Sequence, residues 1–504
     1  MSLPSLKIFG YKLGMSSLLS PAFWARGFAT ALFVILFCCS SSRGNAIPLP
    51  ELSKESKMCI DCHANETRGI YQDWGTSKHF RGNVGCYECH QSETSKLGAM
   101  EHNGFTISII VSPKDCSRCH PAEVQQFSES HHAKAAEILG SLDNFLADIV
   151  EGDTNFHGVS ALSVSGCAQC HGSVVVANKD GSLKSTDWPN TGVGRINPDG
   201  SIGACSACHL RHAFSAEQAR QPENCTRCHQ GPDHPQKEVF EESKHGIAYA
   251  AHKKNLKLDS AKWVLGEDYT AAPTCATCHM SAVKPKNGDL LPVNHNVGLR
   301  ISWNNRPQTS IRPEVADGKL GLEKMAKVDW KMRRAEMEKV CTVCHAETQV
   351  NNFYDQYDGV VSLYNSKFAQ PGVNLMKLLA ENKLITPTQF DEPVEWTWYE
   401  LWHHEGRRAR HGASMMGPDF THWHGLYEVG KHWYTEFIPQ LREIAAKNLH
   451  SDDPAKVEGA KKLDAAINEL LSRPEHRWFT GNMSAEDLEK RKKAAEEFKQ
   501  RYSK

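Results

Sequence analysis

Sixteen cysteines arranged in eight Cys-x-x-Cys pairs, each followed at once by a histidine, constrain this 504-residue chain more than any other feature. The motifs are Cys59, Cys62, His63; Cys86, Cys89, His90; Cys116, Cys119, His120; Cys167, Cys170, His171; Cys205, Cys208, His209; Cys225, Cys228, His229; Cys275, Cys278, His279; and Cys341, Cys344, His345. Two thiols at this spacing bond to the vinyl groups of a porphyrin, and the adjacent imidazole becomes the proximal ligand of its iron. Zinc sites and disulfide frameworks also use paired cysteines, but neither requires a histidine directly after the second. Only Cys38 and Cys39, of 18 cysteines, stand outside the pattern. The expectation is eight covalently bound haem c groups.

So many large apolar cofactors dictate a fold class. A haem every few dozen residues leaves little room for a sheet, and packing against porphyrin faces replaces much of a side-chain core. The chain is therefore expected to be a mainly α multihaem cytochrome c, with a haem-packed core, long ordered loops and a C-terminal helical region. The motif starts lie 27, 30, 51, 38, 20, 50 and 66 residues apart, which excludes a tandem array of identical repeats. With a net charge of −1, nothing marks a nucleic-acid binder. The expected organisation is a targeting segment over 1–46, a haem-binding domain over 47–350 and the helical region over 351–504.

The N-terminus reads as a secretory signal. Lys7, Lys12 and Arg26 precede an apolar run from Ala29 to Cys39, and small residues follow to Gly44-Asn45-Ala46. That run is too short to span a bilayer, which takes about 20 residues; an uncleaved anchor is the alternative. Cleavage is expected near Ala46, with export to the periplasm or an equivalent compartment. No later stretch is long and apolar enough for a transmembrane segment.

Each iron has a sixth position. Of 26 histidines, eight are proximal, which leaves 18 for distal ligation, catalysis and surface. His79 and His245 precede the second and seventh motifs, and His131, His157, His212 and His295 lie among the motifs, so all six are candidate distal ligands. His411 and His424 are two more. The alternative for each is a propionate partner or a solvent-facing ring.

Segment 173–203, rich in Gly, Asn, Ser and Asp, reads as loop. After His345 no cysteine occurs, and helical signals take over. Asp391 with Pro393 starts a helix running through Trp396, Trp398 and Trp402 toward Ala409. Leu426 to Leu449 carries Phe437, Ile438, Leu441 and Ile444 on one stripe, with a kink or break expected at Pro439. Ser484 and Asp487 form a capping-box signature. Between the first two helices, Arg410 to Gly425 is rich in Gly, His and Met and reads as a functional loop.

The eight motifs, CHQGPDHPQ at 228–236, VGLRISWNNRP at 297–307 and RHGASMMGPDFTHWHG at 410–425 resemble the octahaem hydroxylamine oxidoreductase family over essentially the whole mature chain. A weaker likeness, from the fourth motif to the eighth, is to pentahaem cytochrome c nitrite reductases. The resemblance implies seven irons with two His ligands and an open fourth haem, held here by Cys167, Cys170 and His171. It places Asp233 and His234 over that open face as proton-transfer residues; the alternative is a helix-start turn with His234 ligating another iron. It also implies a homotrimer whose loop 410–425 reaches the neighbouring subunit's catalytic haem.

Phe420 departs from the family pattern. Oxidising members carry there a Tyr that cross-links to the catalytic porphyrin, and Phe has no phenolic oxygen with which to do so. Family members without that Tyr resemble reductases. The expected function is nitrite reduction, to nitric oxide and onward to hydroxylamine or ammonium, with a small c-type cytochrome as electron partner. Oxidation of hydroxylamine or hydrazine is the alternative within enzymes, and a non-catalytic electron conduit is the alternative of another class.

Overall fold

A Cys-x-x-Cys-His motif sets its first cysteine and its histidine four residues apart, one helical turn on one face. The backbone adopts that turn. His120 N–H donates to Cys116 O (2.9 Å), His209 to Cys205 (3.0 Å), His229 to Cys225 (3.1 Å) and His345 to Cys341 (2.9 Å). Cys86–His90 and Cys275–His279 are complete short helices, and Cys59 to His63 lie inside the helix Lys54–Glu66. Both thiols and the imidazole are thereby presented together.

In the computed structural model, residues 51–140, 142–153, 156–286, 288–301 and 330–503 are described, and those from Leu52 onward form one unit. The expected signal at 1–46 and the part of the 297–307 fragment beyond Ile301 lie outside the described residues. Strand is scarce. Ala99–His102 pairs antiparallel with Phe105–Ser108, and Val264–Leu265 pairs parallel with Ala282–Val283. Segment 173–203 is loop, pinned by isolated bridges such as Val174–Ile196 and by the buried Arg195, which donates to Asn197 Oδ1 at 2.7 Å.

The C-terminal helices build a side-chain core of their own. Tyr364, Met376, Leu379, Trp433, Phe437, Leu441, Leu463 and Ile467 are at most 1% exposed within one cluster. Trp398 stacks on Phe437 at 5.5 Å, and Phe368 meets Trp433 edge-on at 5.5 Å. Burial of each such side chain contributes roughly 1.5–3 kcal/mol. The expected domain edge at 350 falls inside the helix Glu347–Tyr364, whose Val350, Tyr354, Tyr357 and Val361 pack with Ala413 and against Cys341.

Three readings of this region change. Glu392, not Asp391, is the residue preceding the helix Pro393–Tyr399, and Asp391 instead accepts from Thr386 Oγ1 at 2.7 Å. Pro439 does not break its helix, whose backbone stays helical on either side. It enters directly after the wide π turn Trp433–Phe437, which accommodates a residue that cannot donate backward. The stretch 410–425 is helical where a loop was expected, through Gly406–Met415, Pro418–Thr421 and the π turn His422–Tyr427. Its glycines are packing positions. A Cβ on Gly412 would sit 2.4 Å from Thr421 N, and one on Gly425 would sit 2.6 Å from Ala409 Cα. Met416 turns the chain in the left-handed conformation at φ 57°. The capping box at Ser484 and Asp487 is present, starting the helix Ala485–Tyr502.

Candidate functional site

A continuous cavity of about 2740 Å³ is lined by cysteines and histidines of seven of the eight motifs, all but the fourth. Arg118, Arg195, Arg211, Arg220, Arg227 and Arg300 share its wall. None of the 16 motif cysteines is in a disulfide. Across the cavity, proximal histidines face other imidazoles. Ring centres lie 5.9 Å apart for His63 and His102, 6.4 Å for His90 and His212, and 6.2 Å for His120 and His79. They lie 6.0 Å apart for His229 and His132 and for His345 and His245.

Those spacings suit a metal between two rings. A metal–imidazole bond runs about 2 Å, so two bonds plus the reach from ring centre to nitrogen span roughly 6 Å. An iron ligand must be a neutral imidazole. Burial and the neighbouring His132 push His229 down to about 3; burial and the neighbouring His279 bring His132 to about 4, and burial with His295 nearby does the same for His209. Facing imidazoles, free thiols and guanidinium groups able to face propionates fit c-type haem.

Thiol neighbours order the motifs. Cys59 lies near Cys86, Cys89 near Cys116, Cys208 near Cys225, and Cys278 near Cys341. Cys116 likewise neighbours Cys205, Cys170 neighbours Cys228, and Cys225 neighbours Cys275. The run is first, second, third, fifth, sixth, seventh, eighth, with the fourth branching from the sixth.

At that branch stands a hydrogen-bonded Asp–His pair. Asp233 and His234 lie in the turn before the helix Gln236–Glu242. His234 Nδ1 donates to Asp233 Oδ1, and its Nε2 donates to the carbonyl of Cys228 at 2.9 Å. Both ring nitrogens face acceptors, so the doubly protonated ring is the form this geometry favours. Burial opposes that charge, but the Asp233 hydrogen bond and carboxylate outweigh it and raise the His234 pKa. Burial likewise opposes the Asp233 charge; His234, His403 and Arg407 overcome it and hold the carboxyl at about 2. Arg407 Nη1 donates to Asp233 Oδ2 at 3.3 Å. His411, 3% exposed and lining the cavity, neighbours Arg410, Arg407, His234 and His229; burial, then the two guanidinium groups, drives its pKa far down.

The remaining candidates spread out. His295 neighbours His209 and His120. His131 is exposed beside Gly298, and His157 is exposed at φ 53° against Phe156. His424 is exposed and paired with Asp419 (3.3 Å) and Glu428 (3.2 Å); its ring lies 5.4 Å from that of Phe420.

Two family models match. Residues 199–391 fit one described as seven times multi-haem cytochrome CxxCH, and residues 153–230 fit cytochrome c7 and related cytochrome c. A solved hypothetical multiheme protein shares 27% identity at TM-score 0.65, covering 79% of this chain and 98% of its own. The fold is that of a multihaem cytochrome c. The cytochrome also matches a chain of the Kuenenia stuttgartiensis reducing HAO-like protein complex Kustc0457/Kustc0458 at the level of fold, with 19% identity, TM-score 0.54, and 83% and 87% of the two chains covered. A probable nitrite reductase-hydroxylamine oxidoreductase fusion protein of the same organism is 24% identical over 383 residues, 67% of this chain. The cytochrome spans 39% of that relative's length. It carries covalently bound c-type haem, and among the described residues no helix is long and apolar enough to cross a membrane.

His102, His132, His403 and Arg407 of the cytochrome escaped the sequence reading. Asn103-Gly104, both at positive φ, turn the hairpin that returns His102 to His63; that dipeptide between two short runs was the available signal. His132 adjoins His131, and only the backbone direction decides which ring meets His229.

Proposed function

We propose that this chain is an octahaem cytochrome of the hydroxylamine oxidoreductase type, lacking the cross-linking tyrosine and working as a nitrite reductase. His234 carries the reading. A ring with both nitrogens donating, held by Asp233 and beside the Cys228–Cys170 contact that leads to the fourth motif, is a proton store where nitrite reduction consumes protons. One-electron reduction takes nitrite, two protons and one electron to nitric oxide and water; further electrons and protons lead to hydroxylamine or ammonium. Bound haem supplies the electrons and an open coordination position, which the family resemblance assigns to the fourth motif.

The chain's own residues do the rest. Once its Nε2–H swings from the Cys228 carbonyl to the ligand, His234 gives that proton to the departing oxygen, while Asp233 keeps its hold on Nδ1, stabilising the cation before transfer and orienting the ring. The facing rings are the ligand pairs: His63 with His102, His90 with His212, His120 with His79, His229 with His132, and His345 with His245. His295 is the partner assigned to His209. His132 suits a ligand better than His234 does, since its ring is kept neutral while both nitrogens of His234 are engaged. Phe420 supports reduction over oxidation. Export, a small c-type cytochrome as electron donor and a homotrimeric assembly complete the proposal.

Low-temperature electron paramagnetic resonance of the oxidised holoprotein, with and without nitrite, tests it alongside nitrite turnover with a reduced donor. One high-spin ferric signal that shifts on adding nitrite, with nitrite consumption, is expected. Rapid hydroxylamine oxidation without nitrite consumption overturns the direction. Eight low-spin haems indifferent to nitrite reduce the chain to an electron conduit.

A further inference from the structure

Resting on the reading of Asp233 and His234 as the acid–base pair, we propose that Arg407 is the positioning and charge-selecting residue of that site, favouring a small anion over a neutral nitrogen compound. Arg407 reaches Asp233 from a distant part of the chain, the helix Gly406–Met415. Asp233 is thus gripped from both sides: Oδ1 by His234 and Oδ2 by Arg407. The guanidinium carbon lies 5.5 Å over the Trp402 ring, a second hold on the arginine. Side-chain exposures of 25% for Arg407, 21% for Asp233 and 33% for His234 leave the cluster half-buried, where charge is incompletely screened but a small solute has access.

Arg407 brings a permanent cation to the site, whatever the state of the neighbouring ring. Arg407 uses a single nitrogen on Asp233, which leaves other donors of its planar fork for the oxygens of a ligand. A neutral ligand such as nitric oxide gains nothing from that charge.

Holoprotein variants Arg407→Gln and Arg407→Lys, checked for full haem content, test this by optical titration with nitrite and with nitric oxide and by steady-state nitrite reduction. Arg407→Gln is expected to weaken nitrite binding by about tenfold and to change nitric oxide affinity by less than about twofold. Arg407→Lys keeps the charge and recovers much of the nitrite affinity, but its kcat stays low because a flexible ammonium does not hold Asp233 in place. Equal changes for both ligands, or none for either, overturn the role of Arg407 while nitrite turnover by the wild type stands. A wild type that neither binds nor consumes nitrite removes the functional reading and this inference together.

Discussion

His102 faces His63 with ring centres 5.9 Å apart, carried there by the hairpin Ala99–His102 and Phe105–Ser108. The spacing matches two imidazoles sharing one iron. His102→Ala is expected to leave the haem content unchanged and convert one low-spin haem to high-spin, read by electron paramagnetic resonance. An unchanged low-spin count removes His102 from the ligands.

His131 and His132 are adjacent, yet only His132 faces His229, at 6.0 Å. His132→Ala should cost one low-spin haem, whereas His131→Ala, at an exposed ring, should cost none. Magnetic circular dichroism of the two variants decides between them, and the opposite pattern would reverse the assignment.

Gly412 packs so closely against the chain at Phe420 and Thr421 that a Cβ would meet Thr421 N at 2.4 Å. Gly412→Ala is expected to destabilise the protein by about 1–3 kcal/mol, as overpacking does. Gly359, inside the helix Glu347–Tyr364 with nothing within 4 Å of its missing Cβ, provides the control. Gly359→Ala should stabilise by roughly 0.4–1 kcal/mol. Thermal denaturation of the holoproteins measures both.

His476 is fully buried and shares a hydrogen bond between its Nδ1 and the hydroxyl of Tyr434 at 2.8 Å. Burial, then Lys367, depresses its pKa below the ordinary 6.5. The unfolded chain therefore binds a proton that the folded chain resists, and stability contributed above pH 6.5 is lost as pH falls from there through the folded value. The wild type should be more stable than His476→Phe at neutral pH, and its advantage should shrink below pH 6.5. A gap in melting temperature that stays constant from pH 7.5 to about 5 would exclude His476 as the source.

Local signals were legible where chemistry or capping is local. Ser484 and Asp487 satisfy each other's backbone across a single turn, so the pattern carries its own structure. The stretch 410–425 was misread because three glycines beside histidines and methionines look like a loop. Gly412 and Gly425 are small because two helical segments touch there, a contact that exists only once Phe420 and Thr421 fold back. Asp233 and His234 stood out as candidates, while Arg407, 174 positions from Asp233, did not.

The sequence by itself determined the cofactor and the fold class. Haem attachment needs two thiols and an imidazole within five consecutive residues, and a chain with eight such motifs must organise around porphyrins. Only the tertiary structure decided which imidazole faces which, which motif adjoins which, and which cation holds Asp233. These are pairings between residues tens to hundreds of positions apart. Nothing in the local physics of His102, His132 or Arg407 encodes its partner, because each meets that partner only after the backbone has folded.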